Sequence, residues 1–187
     1  MKFCSACGEK VRFVIPKGDN RQRHVCQSCQ TIHYENPKIV TGCIAQWQNK
    51  ILLCKRAIEP RSGLWTLPAG FMENHETNLQ GAARETVEEA NAKVDNMKLF
   101  CVFSIPHISQ VYTMYLGDLV AGQASAGEES LDVGLFTEGE IPWQDMAFYV
   151  VRETLKLYYR DKKQGNFKTH YGDIIKQDDD TYNVNYF

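Results

Sequence analysis

Residues 70–92 read GFMENHETNLQGAARETVEEANA, and their pattern is the strongest indication of the fold in this sequence. Its second half predicts an amphipathic helix from about Thr77 to Ala90, with Thr77 as the N-cap. At about 100° per residue, one arc of this helix carries small or apolar side chains, at Leu79, Ala82, Ala83, Thr86, Val87 and Ala90. Glu85, Glu88 and Glu89 occupy the opposite arc. We therefore expect the first arc to be buried and the three carboxylates to project together.

The three glutamates stand at positions i, i+3 and i+4 of the predicted helix. Like charges at this spacing weaken a helix by roughly 0.2–0.5 kcal/mol per pair. A bound divalent cation would remove that penalty, and carboxylate oxygens are ligands that Mg²⁺ and Mn²⁺ prefer. A plain charged surface gives the same short pattern, so the spacing over a longer stretch has to decide between the two.

Strand-like runs lie on both sides of this helix. Residues 39–47 and 50–56 are joined by Gln48-Asn49, which predicts a β-hairpin. Further strands are predicted at residues 98–106, 110–120 and 133–137, and a second helix at 144–160. Residues 161–187 are polar, and we expect this tail to be loosely packed or disordered.

The N-terminal segment contains two matched cysteine pairs. Two residues separate Cys4 from Cys7 and two separate Cys26 from Cys29, with 18 residues between the pairs. This spacing predicts a four-cysteine zinc site, in which two short turns bring four thiolates to one tetrahedral ion. Four protein ligands leave no open position, so the Zn²⁺ would be structural. Its binding would supply folding free energy that the few apolar residues of this segment lack.

Composition limits the classes of protein that fit. The 187 residues are 43% hydrophobic and 24% charged, which suits one main domain with a small appendage. The formal charge of −2 provides no global basic field for nucleic acid or an anionic membrane. No apolar run is long enough to span a bilayer, and the N-terminus has no signal or transit pattern. We therefore expect a soluble, cytoplasmic protein whose other three cysteines are buried thiols.

The spacing around the glutamates resembles the signature of the Nudix hydrolases, Gly-x5-Glu-x7-Arg-Glu-U-x-Glu-Glu-x-Gly-U, where U is aliphatic. Six positions are in register, namely Gly70, Glu76, Arg84, Glu85, Glu88 and Glu89. Thr86 stands where an aliphatic residue is usual, and Asn91 stands where glycine is usual. Asparagine is the next best residue for a left-handed helix C-cap, so we expect the turn to survive. Neither departure changes a carboxylate.

This resemblance implies a metal-dependent hydrolase and assigns roles to individual residues. Glu85, Glu88 and Glu89 would bind Mg²⁺ or Mn²⁺ together with the backbone carbonyl of Ala69, and Glu85 or a later acidic residue would assist deprotonation of water. Glu76 and Arg84 would pair to hold the loop of Gly70 against the helix.

Residues outside the signature are further candidates for the site. Of Glu128 and Glu129, we favour Glu129 as an additional catalytic residue and metal ligand, because it precedes the strand near residue 133. An exposed acidic loop is the alternative for this pair. Arg56 and Arg61 are candidates for phosphate contacts. Candidates for stacking on a base are Trp65, Tyr112 and Phe103.

A four-cysteine ribbon directly ahead of a Nudix domain is similar to the branch that contains NADH, FAD and ADP-ribose pyrophosphatases. The resemblance implies an α+β fold in which a mixed sheet is sandwiched between helices, and a homodimer. We divide the chain into a ribbon at residues 1–36, a Nudix domain at 37–160 and a polar tail at 161–187. NADH-specific members carry a longer motif after the box, of which only Ser109-Gln110 is present here.

The sequence therefore predicts a hydrolase that cleaves the pyrophosphate bond of a nucleoside diphosphate linked to another group, with ADP-ribose or FAD as substrate and AMP as product. NADH pyrophosphatase and hydrolase of NAD-capped RNA are alternatives that use the same catalytic residues. A different class also stays open, in which a zinc ribbon that binds nucleic acid or protein is attached to an inactive Nudix fold.

Overall fold

Three short strands carry the cysteine-rich segment in the computed structural model, which describes all residues from Met1 to Phe187. They form an antiparallel sheet in chain order, with β1 at Val11–Val14, β2 at Arg23–Cys26 and β3 at Ile32–His33. Residues Met1–Pro37 form one compact unit and residues Lys38–Phe187 form a second. The second unit contains both α-helices and a nine-stranded sheet.

The strands of the larger sheet are β4 Lys38–Trp47, β5 Lys50–Arg56, β6 Trp65–Thr66, β7 Ala69–Phe71, β8 Val94–Ile105, β9 Gln110–Leu119, β10 Ser130–Phe136, β11 His170–Lys176 and β12 Tyr182–Tyr186. Their order is β10-β5-β4-β9-β8-β11-β12, with β6 added beside β5 and β7 beside β4. The β4–β9 and β8–β11 pairs are parallel and the others are antiparallel, so the sheet is mixed. The predicted hairpin is confirmed as β4 and β5, in which Trp47 of β4 pairs with Lys50 of β5 across the turn.

The two helices cover opposite faces of this sheet. Helix α1 spans Asn78–Ala90 and helix α2 spans Tyr149–Gln164. Alternate residues of β4 show the two layers, because Ile44 joins the core that contains α2 while Cys43 and Ala45 join the core that contains Ala90 of α1. The predicted fold class, a mixed sheet sandwiched between helices, is therefore confirmed.

The ends of α1 agree with the sequence, but its buried face differs from the predicted arc. Leu79 and Val87 are 42% and 44% exposed, whereas Glu85 and Glu89 are buried. The cause is close packing on β4, where a Cβ at Gly81 would lie 2.7 Å from Cγ2 of Thr41. The helix therefore contacts the sheet through its smallest residues. In this orientation Glu85 and Glu89 face inward and are buried.

The expectation of a loosely packed tail after residue 160 is wrong. Helix α2 continues to Gln164, and β11 pairs in parallel with β8 through His170 and Cys101. Buried Asp161 ties the helix to this strand, because Nε2 of His170 donates to its Oδ2 at 2.7 Å. The backbone amide of Lys168 donates to the same oxygen at 3.2 Å. The polar composition of the tail conceals this buried pair, which no hydrophobic periodicity reveals.

We predict that Asp161→Ala lowers the free energy of unfolding by about 3 kcal/mol, because it leaves a buried partner unpaired. Burial by itself would raise the pKa of Asp161, but the hydrogen bonds from His170 and Lys168 outweigh it and hold the pKa below its ordinary value of 3.8. The difference between wild type and variant should therefore be complete above that pH and shrink as the pH falls below it.

Denaturant unfolding followed by tryptophan fluorescence measures this loss, since all three tryptophans, Trp47, Trp65 and Trp143, lie in the second unit. Asp178→Ala is the matched control, because Asp178 is exposed, and it should change stability by less than about 0.5 kcal/mol. Equal stability of both variants would contradict the anchoring role of Asp161.

Candidate active site

Arg84 joins helix α1 to the loop that precedes it. Its Nε and one terminal nitrogen donate to the two carboxylate oxygens of Glu76 at 3.0 and 2.9 Å, and the latter nitrogen also donates to the carbonyl of Phe71 at 3.1 Å. The other terminal nitrogen donates at 2.8 Å to both Glu85 and Glu88. The pKa of Glu76 falls to about 2 because of the bonds from Arg84, helped by the amide of Glu73. The loop and the acidic face of the helix are therefore held by one guanidinium group.

Glu85 and Glu89 are buried at the floor of a cleft. Burial raises the pKa of both carboxyls, and the bond from Arg84 partly offsets this at Glu85. Glu89 has no such bond, and burial together with the charge of Glu85 raises its pKa to about 8. Its Oε2 is buried without a hydrogen-bond partner. This oxygen therefore has an unmet need for a cation or a proton donor.

The backbone of β7 lies directly against these carboxylates. A Cβ at Gly70 would overlap the carboxylate of Glu85, so only glycine lets this side chain pack on the strand. The backbone of Ala69 lies within hydrogen-bonding reach of Glu89 and lowers its pKa slightly. Ala69, Glu85 and Glu89 therefore all line the cleft.

The loop before β10 packs on the C-terminal end of α1. Asn91 adopts the left-handed conformation, with φ of 46°, and caps the helix. Its side-chain amide donates to the carbonyls of Ser125 and Ala126 at 3.4 and 3.0 Å. A Cβ at Gly127 would overlap the carbonyl oxygen of Glu88, so the loop approaches the helix backbone directly. The asparagine that departs from the family pattern therefore provides the turn and also fastens the neighbouring loop.

This loop brings Glu129 to the same cleft as the helix glutamates. Glu129, Glu85 and Glu89 all line the cleft, and the charge of Glu129 contributes to the raised pKa of the other two carboxyls. Glu128 also lines the cleft. The departure at Thr86 is harmless, because its hydroxyl donates to the carbonyl of Ala82 at 2.8 Å inside the helix.

The cleft has a volume of about 1270 Å³. Of the predicted substrate contacts, Arg56, Arg61 and Tyr112 line it. Trp65 does not, since its ring meets Phe136 edge to face at 5.0 Å and packs against the main core. The other stacking candidate, Phe103, is also fully buried in that core. Arg56 is held by a bond from its Nε to the carbonyl of Pro60 at 3.0 Å and lies 5.2 Å from the ring of Phe148.

The sequence interpretation did not assign every residue of the cleft wall. Those missed include His107, Phe148 and Tyr182. His107 lies in a short 3₁₀ turn between β8 and β9, and Phe148 immediately precedes α2. Tyr182 belongs to the tail that we expected to be loose. The alternation of Tyr182, Val184 and Tyr186 with asparagines was the available signal for a half-buried strand.

The donor set at the cleft fits a divalent cation. The buried carboxylates of Glu85 and Glu89 provide hard oxygen donors. Oε2 of Glu89 has no hydrogen-bond partner. Arg84 neutralises part of the charge of Glu85 and Glu88 but does not reach Glu89. A cation at this place would relieve the electrostatic cost of keeping Glu89 ionised.

The four cysteines of the first unit form a tight cluster of sulfur atoms. Their Sγ atoms all lie within 4.8 Å, with separations of 3.7 Å for Cys4–Cys29, 3.4 Å for Cys7–Cys26 and 3.5 Å for Cys7–Cys29. A tetrahedral ion with bonds of about 2.3 Å requires edges of about 3.8 Å, whereas a disulfide requires about 2.05 Å. The cluster therefore fits a metal ion.

Backbone turns and one histidine support this cluster. The amide of Ala6 donates to Sγ of Cys4 at 3.4 Å, and the amide of Cys29 donates to Sγ of Cys26 at 3.4 Å. Nε2 of His33 lies 3.2 Å from Sγ of Cys4, so this residue is part of the cluster's surroundings and not an isolated surface histidine. Such contacts orient thiolate ligands.

Comparison with known families assigns both units. A model described as Nudix N-terminal, for a zinc ribbon, matches residues 2–35, and the NUDIX domain model matches residues 36–158. No helix of the chain is long and apolar enough to span a membrane.

Individual relatives agree with this assignment. The NAD-capped RNA hydrolase NudC of Vibrio vulnificus is 32% identical over 76% of this chain and 53% of its own length. The ADP-ribose pyrophosphatase of Methanocaldococcus jannaschii is 30% identical over 58% of this chain and 67% of its own length. The chain spans about half the length of the NudC relatives that it matches.

A solved structure is similar over nearly the whole chain. The crystal structure of a NUDIX hydrolase from Nitrosomonas europaea has 55% identity and a TM-score of 0.90, and it covers 94% of this chain and 100% of its own. Together with the domain match and the geometry of the acidic helix, this similarity shows that the chain belongs to the Nudix hydrolase family.

Proposed function

We propose that this protein is a metal-dependent hydrolase of the pyrophosphate bond in a nucleoside diphosphate linked to another group. ADP-ribose and FAD are the proposed substrates, and AMP is one product. The observation that carries the proposal is the unpartnered buried oxygen of Glu89, beside Glu85 and the backbone of Ala69, at the floor of a 1270 Å³ cleft. An arrangement of this kind suits a cation that contacts substrate phosphates.

The proposed metal ligands are Glu85, Glu88, Glu89, Glu129 and the carbonyl of Ala69. A bound Mg²⁺ or Mn²⁺ would neutralise phosphate charge and make water a better nucleophile. Glu85 or Glu129 would accept the proton of the attacking water, since both line the cleft. Arg84 is the one ion-pair partner of Glu85, and Glu129 has none within 4.0 Å. Arg84 and Glu76 would keep the loop in place and would not touch the substrate.

The substrate would be held by the basic and aromatic residues of the cleft wall. Arg56 and Arg61 are proposed to contact phosphate oxygens, because guanidinium groups bind phosphate through paired hydrogen bonds. Tyr112 also lines the cleft, and we propose it as a further substrate contact. We leave Trp65 and Phe103 out of the substrate site because their rings pack in the core.

The first unit is proposed to hold one structural Zn²⁺ through Cys4, Cys7, Cys26 and Cys29. Four sulfur ligands leave no position for water, so this ion would take no part in hydrolysis. We propose residues 1–36 as the ribbon and 37–160 as the catalytic domain, with 161–187 completing its sheet instead of forming a separate tail. The proposed assembly is a homodimer, which light scattering in solution would test.

A second candidate substrate is NAD-capped RNA, because that activity is named for several relatives. The short Ser109-Gln110 remnant of the NADH motif and the similarity to an ADP-ribose pyrophosphatase favour ADP-ribose or FAD. The alternative of an inactive binding module is disfavoured because all four acidic candidates line the cleft. These alternatives differ in substrate access and not in the catalytic residues.

We predict that ADP-ribose or FAD gives the highest kcat/KM in a panel that also contains NADH, a diadenosine polyphosphate, NAD-capped RNA and nucleoside triphosphates. Product AMP is measured by chromatography with Mg²⁺ and with Mn²⁺. A tenfold preference corresponds to about 1.4 kcal/mol, which a single contact can supply. NADH ahead by tenfold would reverse the ranking, and nucleoside triphosphates ahead would contradict the proposed substrate class.

Glu89→Gln serves as the inactive variant in this panel. It should lower the rate at least about a hundredfold and leave thermal stability unchanged or raised, because it removes a buried ionisable group that lacks a partner. Glu138→Gln, in an exposed turn away from the cleft, is the control and should retain the wild-type rate. Wild-type turnover by Glu89→Gln at saturating metal would show that the helix is only a charged surface.

We predict that Asn91→Gly lowers kcat about tenfold while the melting temperature stays close to that of the wild type. Glycine keeps the left-handed turn but removes the amide that holds Ser125 and Ala126, so Glu129 loses its fixed position. Asn91→Ala is the comparison variant and should also lower the melting temperature, because alanine is strained at a φ of 46°. An unchanged kcat in Asn91→Gly would remove the positioning role.

We predict that protein washed with chelator and then desalted retains close to one zinc per chain. The retained ion should be lost in Cys7→Ser, because three sulfur ligands bind Zn²⁺ more weakly than four. Elemental analysis provides the measurement, and Cys43→Ser, at a cysteine of the main core, is the control with unchanged zinc. Wild-type protein that is folded and free of zinc would contradict the ribbon assignment.

A further inference from the structure

A side pocket of about 230 Å³ adjoins the catalytic cleft and shares Arg61, His107, Phe148 and Tyr182 with it. Ile108 is shared as well, and Tyr149 and Arg152 complete the polar part of the lining. The rest of the lining is apolar and buried, at Ile105, Met146, Ala147, Val150 and Ile174. Pockets with an apolar lining and a few polar groups at the mouth are the usual form of sites for small organic rings. The pocket is therefore part of the same cavity system as the carboxylates but differs from them in chemistry.

Tyr182 is held in place by contacts at both ends of β12. Its ring stacks on the ring of Tyr149 at 4.7 Å with an angle of 22° between the planes. At the other end of the strand, the hydroxyl of Tyr186 donates to buried Glu153 at 3.0 Å. Between them, Val184 pairs with Ile174 of β11. A ring fixed in this way loses little conformational freedom when a ligand binds.

The mouth of the pocket provides groups that favour a planar, electron-rich ring joined to phosphate. The ring of His107 lies 5.7 Å from that of Tyr182, with an angle of 48° between the planes, so the two rings are neighbours in the pocket wall. The backbone amide of Arg61 donates to the carboxylate of Glu59 at 2.9 Å. Its guanidinium has no ion-pair partner within 4.0 Å and is free to contact a ligand. Arg61 has a φ of 72°, a rare backbone conformation for arginine, and it lines both cavities.

We propose that this pocket binds the purine base of the substrate and that Tyr182 is a specificity-determining residue. The inference rests on the proposed function, in which the substrates share an adenosine diphosphate group. The base contacts the rings of Tyr182 and His107 and the apolar lining, while Arg61 contacts the phosphate that leads into the cleft. Tyr182 lies in β12, beyond residue 158, where the match to the family's domain ends.

Equilibrium binding of two ligands that differ only by the base tests this proposal. AMP and ribose 5-phosphate are titrated by calorimetry into the full-length protein without divalent cation, so turnover plays no part. The wild type should bind AMP at least about tenfold more tightly than ribose 5-phosphate, because stacking of a base on aromatic rings is worth about one such factor or more. Tyr182→Ala should lose this preference while its affinity for ribose 5-phosphate stays unchanged.

Control variants separate loss of stacking from loss of folding. Tyr182→Phe should retain the preference for AMP, and so should Tyr171→Ala, whose ring is exposed on β11 and lines neither cavity. His107→Ala removes the ring that neighbours Tyr182, at an exposed position, and should reduce the preference as Tyr182→Ala does. The two alanine variants of the pocket are compared only if their melting temperatures show folded protein, and His107→Ala alone decides if Tyr182→Ala does not fold.

The outcomes distinguish this inference from the proposed function. Preference for AMP that depends on Tyr182 and His107, without hydrolysis in the substrate panel, would support the base site and overturn the hydrolase proposal. Equal affinity of the wild type for both ligands, or equal weakening of both ligands in the pocket variants, would overturn the base site. Hydrolysis of ADP-ribose with either of these results would leave the hydrolase proposal intact.

Discussion

The five N–H groups of Arg84 form the contact on which the site depends. They bind Glu76, the carbonyl of Phe71, Glu85 and Glu88, and thereby connect the loop after β7 to the helix that follows it. The helix can carry clustered carboxylates because one cation shared by Glu85 and Glu88 offsets the repulsion between them. Glu89 is left outside this network, so the arginine also determines which carboxylate lacks a partner. Lysine could not replace it, because an ammonium group has three donors and no planar fork.

Close backbone packing then turns this network toward the sheet. At Gly70 the strand touches the carboxylate of Glu85, and at Gly127 the loop touches the carbonyl of Glu88. These two contacts bring groups from positions more than 50 residues apart in sequence within one cleft. Asn91 stabilises the second contact, because its side-chain amide donates to two carbonyls of the loop. A glycine at the same turn would have no side chain to make these hydrogen bonds. The departure from the family pattern thus has a structural consequence.

Local signals predicted the elements well, and long-range packing decided what the signals missed. The hairpin, the N-cap at Thr77 and the left-handed Asn91 follow from short-range chemistry and are present. The predicted apolar arc of α1 is buried at Ala82, Thr86 and Ala90 but exposed at Leu79 and Val87, because helical periodicity cannot show how closely a helix approaches a sheet. The tail was misjudged because Asp161 and His170 form a buried polar pair, and composition counts such residues as surface. Tyr182 was missed for the same reason, since its place in the cleft depends on β11 pairing with a strand 70 residues earlier.

Charge balance in the cleft explains why a hydrolase of this family requires a cation before it can accept a pyrophosphate. Seven glutamates and three arginines line the cleft, so its field repels a polyanion when the carboxylates are ionised. Arg84 is already occupied by glutamates, which leaves Arg56 and Arg61 as the guanidinium groups available to phosphate. The basic groups stand on the wall and the acidic groups on the floor. Positive charge added at the floor would let the phosphates of the proposed substrate approach it more closely, so metal binding and substrate binding would strengthen each other.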